Sequence, residues 1–303
     1  MNKLVILFLL FASVHATAQQ INGKVEDATT NKALPYATVL YDFARKVLYT
    51  DSLGNFSLNK DTLDPKDSIY ITFLGYKKLG IAVARLSTEN VFRMAEESQN
   101  LEPVVVSNCR RYKDFSINRR VGKIKEYLGP GPETKFVILG RFLASRDANG
   151  YIKQFEIYSG NFSADIHVPV RLRWYDWDSV NNVPGKELTT SNIIVYPYRQ
   201  GWNSFVLPAN SIYFSDGDIV IGLEFIYPVE YVKQYKSLTT IDQKSQWLMN
   251  MNNRWSIGIQ TTNDANQTGF YQVNNFSIRK YNSRGRGLYI KPAVRFIVTK
   301  CVE

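Results

Sequence analysis

The sequence predicts an all-β protein built from two β-sandwich domains. Short apolar stretches separated by turn residues recur along the chain, whereas the period of an amphipathic helix is weak. Residues 167–175 give the clearest strand, because apolar Val168, Val170, Leu172 and Trp174 alternate with more polar positions. Residues 135–303 also lack the alternation of strands and helices that a parallel sheet requires, so two packed sheets are favoured there.

Residues 1–18 are predicted to be an export signal. Lys3 precedes an apolar run at 4–12, and Ala16 and Ala18 supply the small residues before a cleavage site at Gln19. The run is shorter than the ~20 residues of a membrane-spanning helix. No later stretch is long and apolar enough to span a bilayer, so we expect an exported protein without a transmembrane segment after cleavage. Its location would be the periplasm or the outer membrane and cell surface.

Residues 19–107 are predicted to form the first sandwich. Residues 51–54 make a turn that favours positive φ at Gly54, after which Phe56 and Leu58 alternate with Ser57. The stretches that carry a family resemblance lie at 23–25, 33–39, 50–58, 73–77 and 101–106. In this order they resemble the carboxypeptidase regulatory-like (CarboxypepD_reg-like) domains of bacterial envelope proteins.

The resemblance implies a transthyretin- or immunoglobulin-like sandwich that accompanies an activity and seldom performs one. In related proteins the ending at 101–106 often leads into the barrel of an outer-membrane transporter. The remainder of this chain is too short for such a barrel. We therefore do not expect a transporter barrel in this chain, although an outer-membrane protein could be its partner.

Residues 108–134 are predicted to be a basic linker. Seven lysines and arginines lie between 109 and 127, and the Gly-Pro repeat at 129–132 breaks any helix. We expect a segment that is mobile or laid on the surface, with one short helix near 121–128. Cys109 in the linker and Cys301 near the end of the sequence form a disulfide or remain two thiols, and the sequence leaves both open.

Residues 135–303 are predicted to form a second, jelly-roll-like sandwich. Its pieces at 170–175, 184–188, 201–202 and 219–225 resemble uncharacterised domains that are fused to the regulatory-like module, and this likeness implies no activity. Residues 228–252 are the exception to the β pattern and are expected to be a short helix or a long loop.

The candidate catalytic chemistry is sparse. After signal removal His167 is the one histidine, and no His-x-x-Glu pattern occurs, so a zinc carboxypeptidase is not expected. A Ser-His-Asp site would also depend on His167. We therefore expect no enzyme and no catalytic residues. The alternative is a glycoside hydrolase that uses carboxylates near Asp216, Asp218 and Glu224.

The candidate binding residues are aromatic, basic and oxygen-rich. Trp177, Trp202 and Tyr198 could form a platform that stacks on sugars, or could simply pack within the fold. Arg284 and Arg286 sit at an expected hairpin tip, and the formal net charge of +10 favours an anionic partner. The crowded loop with Asp176, Asp178 and Asn181 could bind structural calcium or be an ordinary turn.

These observations favour a non-enzymatic exported protein of the bacterial envelope. Its expected role is binding or scaffolding, accessory to carbohydrate or polymer handling. The expected partner is a glycan or an anionic envelope polymer rather than nucleic acid, and no cofactor is expected apart from the calcium alternative.

Overall fold

The computed structural model describes residues 20–97, 111–119, 121, 124–128, 135–143, 150–160, 168–189, 191–209, 211–214, 218–227, 257–262, 269–273, 279–280 and 289–302. These ranges hold strands β1 to β22 and two short 3-10 turns, and no α-helix occurs within them. The all-β prediction is therefore confirmed. No helix in these ranges is long and apolar enough to cross a membrane.

The N-terminal sandwich comprises residues 20–94 and has two facing sheets. One has the order β4-β1-β7, with β1 antiparallel to β4 and parallel to β7, and the other is antiparallel with the order β3-β2-β5-β6. The strands are β1 Gln20–Asp27, β2 Thr38–Tyr41, β3 Lys46–Tyr49, β4 Asn55–Asn59, β5 Ser68–Thr72, β6 Leu79–Ala82 and β7 Glu89–Met94. The 3-10 turns are Lys60–Thr62 and Val83–Arg85.

The core of this sandwich lies between the two sheets. Alternate residues of β1 and β4, including Ile21, Val25 and Phe56, meet Val39 and Ile71 from the opposite sheet. The turn before β4 places Gly54 at φ +79°, as the sequence predicts. Alternation in β4 is also confirmed, since Phe56 and Leu58 are buried and Ser57 is exposed.

The C-terminal sandwich comprises the described strands between residues 111 and 302. A seven-stranded sheet has the order β13-β12-β17-β10-β19-β20, with β14 also paired to β12. An eight-stranded sheet has the order β21-β18-β11-β22-β8, with β15 and β16 paired to β11 and β9 paired to β18.

The strands of the seven-stranded sheet are β10 Phe136–Leu143, β12 Val170–Asp178, β13 Val183–Glu187, β14 Ile193–Val195, β17 Asp218–Phe225, β19 Gly269–Val273 and β20 Arg279–Lys280. Those of the eight-stranded sheet are β8 Arg111–Ile117, β9 Ile124–Leu128, β11 Gly150–Ser159, β15 Gly201–Val206, β16 Tyr213–Phe214, β18 Ile257–Thr262, β21 Tyr289–Pro292 and β22 Val294–Val302. Their facing sides close one core around Trp174, Phe155 and Phe296.

The segment predicted to be a linker contributes two strands to the eight-stranded sheet. β8 pairs with β22, and β9 pairs with β18, so the short helix expected near 121–128 is wrong. The alternation of a strand is visible in β8, where Ile117 is buried and Phe115 is half-buried while Asp114 and Ser116 are exposed. The many basic residues conceal this period of two.

The two sandwiches stack through their sheets. Leu40, Val47 and Tyr49 from β2 and β3 pack on Ile226, which follows β17 in the seven-stranded sheet. The seven-stranded sheet is thus covered on both faces at this end, by the eight-stranded sheet and by the N-terminal sandwich. This explains why Arg171, on the outward side of β12, is only 3% exposed.

Candidate functional site

A buried charged network lies where the two sandwiches meet. Glu224 in β17 is completely buried, and its Oε2 accepts hydrogen bonds from Arg171 Nη1 at 3.3 Å and Arg173 Nε at 2.6 Å. Its Oε1 accepts from the Tyr49 hydroxyl at 3.1 Å, which comes from the N-terminal sandwich. Adjacent outward positions of β12 and β17 create this cluster, because Arg171 pairs with Glu224 in the strand register.

Further contacts extend the network. Arg173 Nη1 donates to both oxygens of Glu187 at 2.7 and 2.9 Å. Arg171 Nη2 donates to the carbonyl of Tyr36, and the Tyr196 hydroxyl donates to the Tyr36 hydroxyl at 3.1 Å. Each of these last two contacts crosses between the sandwiches. The network therefore joins them with charge-assisted bonds in addition to apolar packing.

Electrostatics keep the network ionised at neutral pH. Burial alone would raise the pKa of Glu224, but Arg173 and Arg171 outweigh it and hold that pKa well below its usual value. Burial and the Glu224 charge raise the pKa of Tyr49 well above its usual value. Burial lowers the pKa of Lys135 to about 8 despite the attraction of Glu224.

This geometry weakens the hydrolase alternative at one of its three carboxylates. Glu224 is committed to two arginines and a tyrosine in a buried interface, so it neither reaches a substrate nor carries a proton near neutral pH. The role that the sequence suggests for Glu224 is therefore corrected to a structural one. Asp216 and His167 lie outside the described residues.

The three aromatic residues that the sequence singles out do not form one platform. Trp177 is half-buried on the seven-stranded sheet, against Phe270 and under the Arg141 guanidinium, whose carbon lies 3.8 Å from the ring centroid. Trp202 is on the eight-stranded sheet, with Arg295 stacked at 3.7 Å. Tyr198 precedes β15 and is 53% exposed. Each tryptophan thus has one face covered by an arginine, for which sequence spacing gives no signal.

The oxygen-rich loop is an asparagine- and aspartate-stabilised turn. Asp178 Oδ1 accepts from the backbone N–H groups of Val180 and Asn181, both at 3.0 Å, and Oδ2 accepts from Asn181 Nδ2 at 2.6 Å. These bonds lower the pKa of Asp178. The neighbouring Asp176 is exposed. Across the described part of the chain, no three His, Cys, Asp or Glu side chains are grouped to hold a metal, and calcium at this loop stays a prediction.

Most of the remaining predicted residues lie outside the part of the chain that the structure describes. Arg284, Arg286 and Cys109 lie outside the described residues, as do the predicted export signal and segment 228–252. Cys301 belongs to β22, where its backbone pairs with Tyr112 of β8. The disulfide therefore stays a prediction.

A groove that the sequence did not predict opens on the eight-stranded sheet. It measures about 780 Å³ and lies where β8, β11 and β22 meet the end of β15. Tyr112 is 65% exposed and Val206 is 80% exposed, and both line it. Tyr151 also lines it and packs edge-on against Tyr213, with ring centroids 5.2 Å apart. Residue 112 falls in the segment that the sequence predicts to be a linker, so the sequence gives no signal for this groove.

Polar groups of the groove are held in a defined arrangement. Lys153 Nζ donates to Asp114 Oδ2 at 3.0 Å, and the Thr299 hydroxyl donates to Asp114 Oδ1 at 2.7 Å. These two hydrogen bonds lower the pKa of Asp114, so its carboxylate is ionised at neutral pH. Aromatic and apolar surface beside a few fixed polar groups is the composition of a ligand site.

The fold and this groove define a class of protein, namely two stacked β-sandwiches with an open groove on an outer sheet. Residues 21–106 match the family model of the CarboxypepD_reg-like domain, so the predicted resemblance is confirmed for this part of the chain. No curated protein matches the chain significantly.

Solved structures show distant similarity, and two of them belong to one clostridial protein. One contains the cysteine protease and lectin-like domains of Cwp84, a surface layer associated protein of Clostridium difficile. The matched region covers 55% of this chain and 32% of the Cwp84 chain, at 12% sequence identity and a TM-score of 0.32. The second structure is the clostridial cysteine protease Cwp84 after propeptide cleavage. Here the matched region covers 63% of this chain and 40% of the Cwp84 chain, at 11% sequence identity and a TM-score of 0.35. Such low scores give no basis for transferring an activity.

Proposed function

We propose that this chain is a non-catalytic exported binding protein of the bacterial envelope that holds a carbohydrate in the groove of its eight-stranded sheet. The observation that carries the proposal is the groove itself. Its two lining tyrosines, Tyr112 and Tyr151, stand beside hydrogen-bonded polar groups on the eight-stranded sheet. The regulatory-like domain supports an envelope role, because it accompanies other activities in bacterial envelope proteins.

Tyrosine rings suit this task physically. A sugar ring has apolar C–H faces and a rim of hydroxyls, so it gains from an aromatic surface and from nearby donors and acceptors. Tyr112 lines the groove and is well exposed, and Tyr151 lines it beside the exposed Tyr213. Tyrosine also loses little conformational freedom when a ligand binds. Exposed apolar side chains that cluster on one surface are typical of interaction sites.

Calorimetric titration of the exported protein with a panel of neutral and acidic polysaccharides tests this proposal. Tyr112→Ala and Tyr151→Ala, at two tyrosines that line the groove, are expected to weaken binding roughly fivefold or more, because truncating an anchoring aromatic costs more than about 1 kcal/mol. Tyr198→Ala is the matched control, since Tyr198 is equally exposed and does not line the groove. Unchanged affinity in both groove variants, or loss in the control alone, would contradict the groove.

A further inference from the structure

A second aromatic cluster lies on the eight-stranded sheet, at the other end of β11 from the groove. Trp202 in β15 pairs with Tyr158 in β11, and their rings meet edge-on with centroids 5.3 Å apart. Both side chains are half-buried, so part of each ring reaches the surface. The Arg295 guanidinium carbon lies 3.7 Å from the centroid of the Trp202 ring and holds that ring against the sheet.

A β-bulge brings this cluster and the groove to the same face of the sheet. Tyr151 and Tyr158 are separated by an odd number of positions, so a regular strand would place them on opposite faces. The register of β11 against β22 shifts between Ile152 and Gln154, which inserts one residue. Both tyrosines are consequently half-buried on the outward side, whereas Ile152 and Phe155 point into the core.

The outward face between the two clusters is continuous. Gln154 pairs with Val206 in the strand register, and its Nε2 donates to Ser204 Oγ at 2.7 Å. Val206 is 80% exposed and also lines the groove, so the path starts in the groove itself. From Tyr151 to Tyr158 the strand spans roughly 20 Å at about 3.3 Å per residue. This length suits several linked sugar units and exceeds the reach of one or two.

The charges on this face balance each other. Lys153 Nζ lies 3.0 Å from Asp114 Oδ2, and Arg295 Nη1 lies 3.7 Å from Glu156 Oε2. These four are the charged side chains on the outward sides of the described strands β8, β11, β15 and β22. Because a charged ligand loses hydration without gaining a partner of opposite sign here, a neutral ligand is favoured.

We propose that this face binds a neutral polysaccharide as an extended chain, with one part in the groove against Tyr112 and Tyr151 and another part on Trp202 and Tyr158. This inference rests on the proposed function, and it names the class of carbohydrate and its mode of binding. A chain that reaches both clusters makes the second contact without the loss of freedom that a separate molecule would incur.

Calorimetric titration with matched dimers and hexamers of one sugar tests the extended mode. Cello-, manno- and xylo-oligosaccharides serve as neutral probes, and oligogalacturonides serve as the acidic comparison. At least one neutral hexamer is expected to bind at least about tenfold more tightly than its dimer, which exceeds the gain from several equivalent positions of a dimer along the chain. Its affinity should change by less than about twofold between low salt and 1 M salt.

Trp202→Ala separates the two ends of the path. It is expected to lower the affinity for the hexamer about fivefold or more and to leave the affinity for the dimer unchanged, whereas Tyr112→Ala weakens both. Trp177→Ala is the matched control, because Trp177 is also half-buried beneath an arginine but lies on the seven-stranded sheet. Thermal melting verifies the fold of each variant, and the comparison of hexamer with dimer on the wild-type protein depends on no variant.

The outcomes separate this inference from the proposed function. Equal affinity for dimer and hexamer, or the same loss of hexamer binding in Trp177→Ala, would overturn the extended mode while the groove proposal stands. Tighter binding of the oligogalacturonide hexamer than of every neutral hexamer would overturn the neutral class. Failure of every polysaccharide and oligosaccharide to bind would overturn both this inference and the proposed function.

Discussion

The contact between Tyr49 and Glu224 offers a direct test of how the two sandwiches stack. These residues lie 175 positions apart in sequence, and their hydrogen bond of 3.1 Å exists only if the N-terminal sandwich packs on the seven-stranded sheet as described. We expect Tyr49→Phe to lower the free energy of unfolding by about 1.5–3 kcal/mol, because the lost bond has a charged acceptor.

Glu224→Gln should cost more, about 3–5 kcal/mol, since it leaves Arg171 and Arg173 buried without their shared carboxylate. The decisive quantity is the coupling between the two changes in a double-mutant cycle. Residues in direct contact within one network should show about 1–3 kcal/mol of coupling, whereas distant residues add to within ~0.5 kcal/mol.

Urea denaturation followed by tryptophan fluorescence and circular dichroism measures all four corners of this cycle. If the sandwiches unfold in separate steps, the transition that includes the seven-stranded sheet is the relevant one. Tyr198→Phe is the matched control and should change stability by less than ~0.5 kcal/mol, because Tyr198 is exposed. Additive effects of Tyr49→Phe and Glu224→Gln would refute this stacking of the sandwiches.

Three further changes test local features of the fold. Gly54→Ala should lower the free energy of unfolding by more than about 1 kcal/mol, and by more than Gly75→Ala does. Both glycines have positive φ, but only a Cβ at Gly54 meets a carbonyl oxygen, 2.7 Å away. Equal losses of stability for the two variants in urea denaturation would contradict this. Hydrogen bonds from Thr30 and Tyr76 lower the pKa of Asp27 to about 2, so its stabilisation is present above the unfolded pKa near ~4 and is lost as the pH falls toward 2. Asp27→Asn should flatten the acid limb of a stability-against-pH curve, and an unchanged limb would be the contrary result. Lys135 has its pKa lowered from 10.5 to about 8, so the unfolded chain binds more protons within that window and stability should rise with pH there. Lys135→Met should remove this rise, and a slope that persists would show that another group causes it.

The strands and their inward faces were largely readable from the sequence. In β12 the alternation of Val170, Leu172 and Trp174 with polar neighbours predicts which side chains enter the core, and these three are buried. The same alternation suggests that the opposite face is solvated, and there the prediction fails. A single strand pattern does not reveal that the N-terminal sandwich, more than a hundred residues upstream, covers Arg171, or that Tyr175 packs against Val137 and Phe270 of neighbouring strands.

A signal for this second interface was present but weak. Glu224 interrupts an otherwise apolar strand, and a charge in a buried strand requires partners of opposite sign. The arginines on β12 can be identified as these partners only once the pairing of β12 with β17 is known. The sequence gives no signal for the groove for a related reason, since the basic composition around Tyr112 conceals the alternation of β8.

A crystal structure of the protein with a short oligosaccharide of the polysaccharide that binds in the titration is the most direct measurement of the central claim. We predict sugar density along the groove, with rings against Tyr112 and Tyr151 and hydroxyls beside Asp114 and Lys153. Density on Trp177 or Tyr198 with an empty groove would contradict this account.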